Sequence, residues 1–160
     1  MFVQIAKNRI KQSTIIPRLL TPFGNELQPD RWIFIIGCNN SGTTLLKSIL
    51  TKHPLIAGFT REGVYLTDRL PFPEQFGWPR MWCQCLDKVR IDAEKVSPSC
   101  IMRIKKQWSV WLPRDARNIL DDSQANTPKI IFFEKHFQPA YFISIIRNGY
   151  AVAGGIREKS

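Results

Sequence analysis

The chain has 160 residues, 44% of them hydrophobic, which suits one globular domain able to bury a core. Its 23 lysines and arginines against 13 acidic residues give a formal net charge of +10, so it attracts anions. The charges are scattered rather than gathered into a stripe with interleaved aromatics, which argues against a nucleic-acid binder; a membrane-surface protein, an enzyme with a polyphosphorylated substrate and a plain basic surface all remain compatible with the balance.

The N-terminus carries no apolar run of signal-peptide length, and no stretch approaches the ~18 apolar residues of a membrane span. A basic segment with Lys7, Arg9, Lys11 and Arg18 among apolar residues either lies on a membrane surface or simply precedes the domain, and residues 1–30 read as an N-terminal extension. Arg31–Gly37 is a continuous apolar run ending in glycine, the pattern of a strand buried on both faces of a parallel sheet. The polar loop that follows opens a helix over 43–50, with Leu46, Ile49 and Leu50 on one face and Pro54 as its stop. A second short helix is predicted over 62–70, then an irregular insertion rich in Trp, Pro and Cys up to Pro98. Residues 99–112 read as a helix whose Ile101, Ile104, Trp108 and Trp111 form a core stripe. A brief strand over 116–120 leads through a turn at 121–126 to a helix capped by Thr127, with Pro128 at its first position, running to Phe137. A second apolar strand, 141–146, ends at Arg147, and a last helix begins near Ala151.

Strands alternating with helices, each strand uniformly apolar, give an α/β fold with a parallel sheet and ligands gathered at the strands' C-terminal ends, where Gly37 and Arg147 both lie. Cys38, Cys83, Cys85 and Cys100 show no metal-ligand spacing, and His53 and His136 stand far apart. Structural thiols in a reducing compartment follow, which points to the cytoplasm.

Gly37-Cys38-Asn39-Asn40-Ser41-Gly42 followed by Thr43-Thr44 has the glycine spacing of a phosphate-binding loop, whose backbone N–H groups and helix N-terminus cradle an anion. Thr43 stands where a nucleoside triphosphatase needs lysine to reach the β and γ phosphates, so an anion site fits and ATP hydrolysis fits poorly.

Ser41-Gly42-Thr43-Thr44-Leu45-Leu46 after Ile35-Ile36-Gly37 resembles the 5'-phosphosulfate loop of sulfotransferases, especially the branch related to tyrosylprotein sulfotransferases and many bacterial members. Phe142 to Asn148 is similar to that family's 3'-phosphate motif, with Arg147 as the gripping arginine; a guanidinium at a strand end offers a bidentate fork to a phosphate. The resemblance implies a three-layer, P-loop NTPase-like parallel sheet with helices on both faces, over residues 31–160. It also implies 3'-phosphoadenosine-5'-phosphosulfate (PAPS) as sulfate donor, no metal, and a small-molecule, glycan or peptide acceptor with a hydroxyl or amine. His53-Pro54 and the glutamate after it, Glu62, match the position of the family's general base. The segment 119–129 looks like a degraded form of the family's Glu-Lys-[Ser/Thr]-Pro element.

The donor-binding set so implied is Asn39, Asn40, Ser41, Gly42, Thr43, Thr44, Arg147 and Gly155, with Asn40 and Glu62 at the reacting group. Several of these depart from the family pattern. Asn40 stands where the family has lysine or arginine, and loss of one such transition-state charge typically costs ~3 kcal/mol, near a hundredfold in rate. Gly155 replaces a serine, Gly149 a proline, and Asp122 the lysine of the Glu-Lys pair. With Ser160 falling inside a helix just begun, the sequence reads as an N-terminal fragment, a truncated product or a decayed paralogue. Two other function classes stay open: a non-catalytic nucleotide-binding or interaction module, and a P-loop kinase. The acceptor has no recognisable signature in residues 72–111.

Overall fold

The structure is a computed structural model and describes residues 15–157. Four parallel strands form its sheet: β1 (Arg31–Gly37), β2 (Ile56–Gly58), β3 (Asn118–Asp121) and β4 (Ala140–Ile145), in the spatial order β2-β3-β1-β4. Since β1 has a neighbour on either side, its side chains Trp32, Phe34, Ile35 and Ile36 are buried, as the unbroken apolar run requires. The register sets Gly37 opposite Ile145 and Phe34 opposite Asp121, so the ends of β1, β3 and β4 converge on one edge.

The helices are α1 (Ile15–Leu20), α2 (Thr43–Leu50), α3 (Leu86–Val89), α4 (Pro98–Ser109), α5 (Ile130–His136) and α6 (Gly149–Arg157), with short 3-10 turns between them. Helix α4 starts where Ser97 Oγ accepts the Cys100 N–H and Pro98 occupies the first turn. Its stripe of Ile101, Ile104 and Trp108 is core. Trp108 tilts against Trp32 at 5.8 Å and Phe59 at 5.1 Å, while Phe34 meets Phe133 at 4.3 Å. Aromatic pairs of this kind contribute about 0.5–1.5 kcal/mol each beyond their buried area. The Trp108 indole also donates to Gly63 O at 2.9 Å, which ties this core to the turn beside Glu62.

Residues before β1 lean on α4. Gln107 Nε2 donates to Pro17 O at 3.2 Å and Thr21 Oγ1 at 2.9 Å, and Gly24 sits so close to Lys106 O that a Cβ would lie 1.9 Å from it. Of the basic segment that begins at Lys7, positions up to 14 lie outside the described residues, whereas Arg18 pairs with Asp68 at 2.9 Å.

Two sequence expectations are corrected. Residues 62–70 do not form a helix but a single 3-10 turn, Gly63–Leu66, because Gly63 and Val64 donate to the side chains of Asp121 and Ser123 instead of to a helical ladder. Thr127 and Pro128 do not open a helix: they sit within the 3-10 segment Gln124–Lys129, and the α-helix begins at Ile130. On α2, Leu46 and Leu50 are half-buried, whereas Ile49 on the same face is exposed, as is Leu45. Among the described residues β4 is an edge strand that pairs with β1 alone, and its Tyr141 and Ile143 are exposed. The irregular reading of the insertion holds, although Phe72 and Val89 anchor it in the core.

Candidate functional site

The loop between β1 and α2 is shaped by three residues in left-handed backbone. Gly37 has φ +145° and no room for a Cβ, which would meet Ile145 O at 2.8 Å. Asn40 has φ +61°, a conformation asparagine tolerates better than most residues, and Gly42 at +112° caps α2 without any side-chain hydrogen bond. The first amides of α2 are therefore uncapped by side chains and point into the loop, the arrangement that favours an anion. Ser41 Oγ is buried within the loop, closed to solvent and without a hydrogen-bond partner. A buried hydroxyl left so is destabilising unless something satisfies it, and an anionic oxygen would.

Two residues behind the loop brace it. Thr127 Oγ1 accepts the Gly37 N–H at 3.0 Å and donates to Gly37 O at 3.1 Å. Gln124 stitches the loop's two ends: its Oε1 accepts from Asn39 Nδ2 at 3.4 Å and its Nε2 donates to Thr43 Oγ1 at 2.5 Å. Thr43 is thus buried with its hydroxyl engaged towards β3, leaving its backbone N–H for the loop; Thr44 is exposed. Neither Gln124 nor Thr127 was singled out from sequence as a site residue, and their positions three apart in a 3-10 turn are the signal that could have found them.

Arg147 comes to the loop from the end of β4. Its Nη1 donates to Asn40 O at 2.8 Å, so a guanidinium stands at position 40 although the side chain there carries no charge. Gly155 of α6 lies against the same residue: a Cβ on it would be 3.3 Å from Asn40 Cβ. Asn40 is thus brought together with Arg147 and Gly155, both more than a hundred residues away in sequence.

Glu62 lies in a separate cluster at the same sheet edge. The next residue, Gly63, donates its N–H to Asp121 Oδ1 at 2.9 Å, an approach that leaves no space for a Cβ, 2.6 Å from Asp121 Oδ2. Val64 N–H donates to Ser123 Oγ at 3.3 Å, and Ser123 Oγ donates to Asp121 Oδ1 at 2.6 Å. The end of β3 therefore fixes the Glu62 turn. Asp121 is fully buried and also accepts from Asn126 Nδ2 at 2.7 Å; burial raises its carboxyl despite the hydrogen bonds of Ser123 and Gly63. Asp122 pairs with Lys47 of α2 at 2.7 Å. Burial first, then the carboxylates of Asp121, Asp122 and Glu74, push Glu62 up to about 8, with Lys47 pulling the other way. Lys129, buried beneath this cluster and donating to Ala125 O, is lowered to about 7 by burial, against the pull of Asp121.

A sulfotransferase family model matches residues 32–158, the strand, loop and edge described above. The chain belongs to the sulfotransferase family. No curated protein and no solved structure matches it. The match spans both ends of the candidate site, from β1 through Arg147 to α6. The parallel sheet flanked by helices agrees with the fold of that family. Among the described residues no helix is long and apolar enough to cross a membrane.

Proposed function

We propose that this sulfotransferase uses PAPS and moves its sulfuryl group to an acceptor hydroxyl or amine. The observation that carries the reading is the loop itself: the α2 N-terminus has no side-chain cap, the buried Ser41 hydroxyl has no partner, and the Arg147 guanidinium is bonded to the loop at Asn40 O. In this reading the backbone of residues 39–44 and the hydroxyls of Ser41 and Thr44 hold the 5'-phosphosulfate. Arg147 keeps one donor on Asn40 O and turns others to the 3'-phosphate beside Gly155. Glu62 takes the acceptor proton as the acceptor atom bonds to sulfur. The bond from sulfur to the phosphate oxygen breaks, and its electron pair leaves with 3'-phosphoadenosine-5'-phosphate (PAP).

Asn40 contributes hydrogen bonds where the family has a cation, and Arg147 is the charge that answers for it at the loop. Because Glu62 is held up to about 8, the base form is scarce at neutral pH, and transfer rises as pH passes through that value. That same feature favours a second reading, a PAP-binding module without turnover. Calorimetry with PAP and a radiolabelled transfer assay at pH 7 and pH 9 separate them. PAP binding with transfer that grows towards pH 9 supports the enzyme; PAP binding with no transfer at either pH supports the module; no PAP binding with the loop intact rejects both.

A further inference from the structure

A cleft of about 330 Å³ opens beside the front of the loop, between the insertion and α6. Its lining includes Cys38 and Asn39 from the loop, Arg80 and Trp82 from the insertion, and Val152 and Arg157 from α6. Neither Ser41 to Thr44 nor Arg147 lines it, so it is not the candidate anion site. It adjoins that site through Cys38 and Asn39, and lies at the strand edge where ligands of parallel sheets collect.

Three properties narrow what it can hold. The volume is near the small end of ligand pockets, about 300–1,000 Å³, which suits a single small molecule rather than an oligosaccharide or a folded peptide. The wall combines the Trp82 indole with Met81, Val152 and Ala153, surfaces that suit a flat apolar body and offer little to the ring of hydroxyls on a sugar. The cleft is also flanked by Arg80 and Arg157, and neither forms an ion pair among the described residues. Arg80 is held there in left-handed backbone, φ +63°, with its N–H on Glu74 Oε1 at 3.3 Å, a conformation unusual for a non-glycine residue and common at ligand clamps.

We infer that this cleft is the acceptor subsite and takes an aromatic alcohol that carries an acidic group, its ring against Trp82 and its anion between Arg80 and Arg157. The inference rests on the sulfotransferase reading and deepens it by naming the acceptor class.

Cys38 and Cys83 are free, exposed thiols on the cleft wall, which provides a readout independent of turnover. The rate of maleimide labelling at both cysteines is measured in the full chain saturated with PAP, with 6-hydroxy-2-naphthoate, 2-naphthol or glucosamine added. The naphthoate is expected to slow labelling at both sites, 2-naphthol to do so at higher concentration, and glucosamine not at all. Ala153→Trp, a surface change that fills the cleft, abolishes the protection while PAP affinity stays as in the native chain. Arg80→Gln with Arg157→Gln weakens the naphthoate roughly tenfold and leaves 2-naphthol unchanged. PAP binding without protection by the naphthoate, or with equal protection in Ala153→Trp, overturns the acceptor subsite and leaves the sulfotransferase reading standing. Protection by glucosamine alone, or displacement of PAP by the naphthoate, also overturns it. Failure of PAP itself to bind removes the reading on which it rests.

Discussion

Asp68 and Glu62 are close in sequence and flank the same 3-10 turn, yet their surroundings are opposite. Asp68 accepts from Arg103 Nε and Nη2 at 2.9 and 3.0 Å, from Gln107 Nε2 at 2.9 Å and from Arg18 Nε at 2.9 Å. Burial acts to raise its carboxyl, but the hydrogen bonds of Arg103 and Gln107 and the charge of Arg103 hold it well below the usual carboxylate range. Glu62 has three carboxylates around it, against the neighbouring Arg61 and one lysine that is itself engaged with Asp122. Asp68 is a structural knot that joins α1 to α4. Glu62 sits in unfavourable electrostatics, a setting that recurs at functional sites.

The sharpest way to break the comparison is Glu62→Gln. It lowers sulfuryl transfer roughly 10²–10⁴-fold if Glu62 is the base, measured as initial rate at saturating PAPS. Its stability effect runs with pH. The folded-state value is raised, so Glu62 favours folding below its ordinary value near 4.5, and that contribution is lost as pH climbs towards about 8. The variant should therefore lose less stability than the native chain across that window in urea titrations, and an unchanged slope would contradict the buried-cluster account.

Asp68→Ala has the reverse character: about 3 kcal/mol of stability lost at pH 7, seen as a lower urea midpoint, because Arg103, Arg18 and Gln107 lose the carboxylate they share. Here the folded value is depressed, so the native contribution is present above the ordinary carboxylate value and fades as pH falls below about 4. Donor affinity should be untouched except through unfolding.

Arg147→Ala weakens PAP roughly tenfold to a hundredfold by calorimetry with little change in stability, since its partner in the protein is one exposed backbone carbonyl. Asp122→Asn removes a carboxylate facing Glu62 and releases Lys47, so the rise of transfer with pH should begin below the native value. An upward move would show that Lys47 acts elsewhere. Gly155→Ser gives the smallest effect, less than about tenfold on PAP, because the added Cβ asks Asn40 to yield only a few tenths of an ångström.

The contrast also marks where sequence reading stops. Strand β1, the loop and α2 were legible because each is local: an apolar run, a glycine spacing and a helix opening are properties of consecutive residues. The 62–70 segment misled for the same reason. Its composition suits a helix, but the donors of Gly63 and Val64 are claimed by Asp121 and Ser123, more than fifty residues away. The exposure of Ile49 on α2 and of Tyr141 and Ile143 on β4 follows the same logic, since apolar residues state a capacity for burial and the neighbouring element decides whether it is used.

By itself the sequence determined the parallel α/β class, the strand–glycine loop–helix succession and the family, all written in short contiguous patterns. It could also flag Asn40, Gly155 and Asp122 as departures. Only the tertiary structure brought Arg147 and Gly155 onto Asn40, set Asp122 against Lys47, enclosed Glu62 among carboxylates and opened a cleft beside Cys38. Charge and cavity depend on distances through space. Those distances are fixed by how the strand ends converge rather than by the order of residues along the chain.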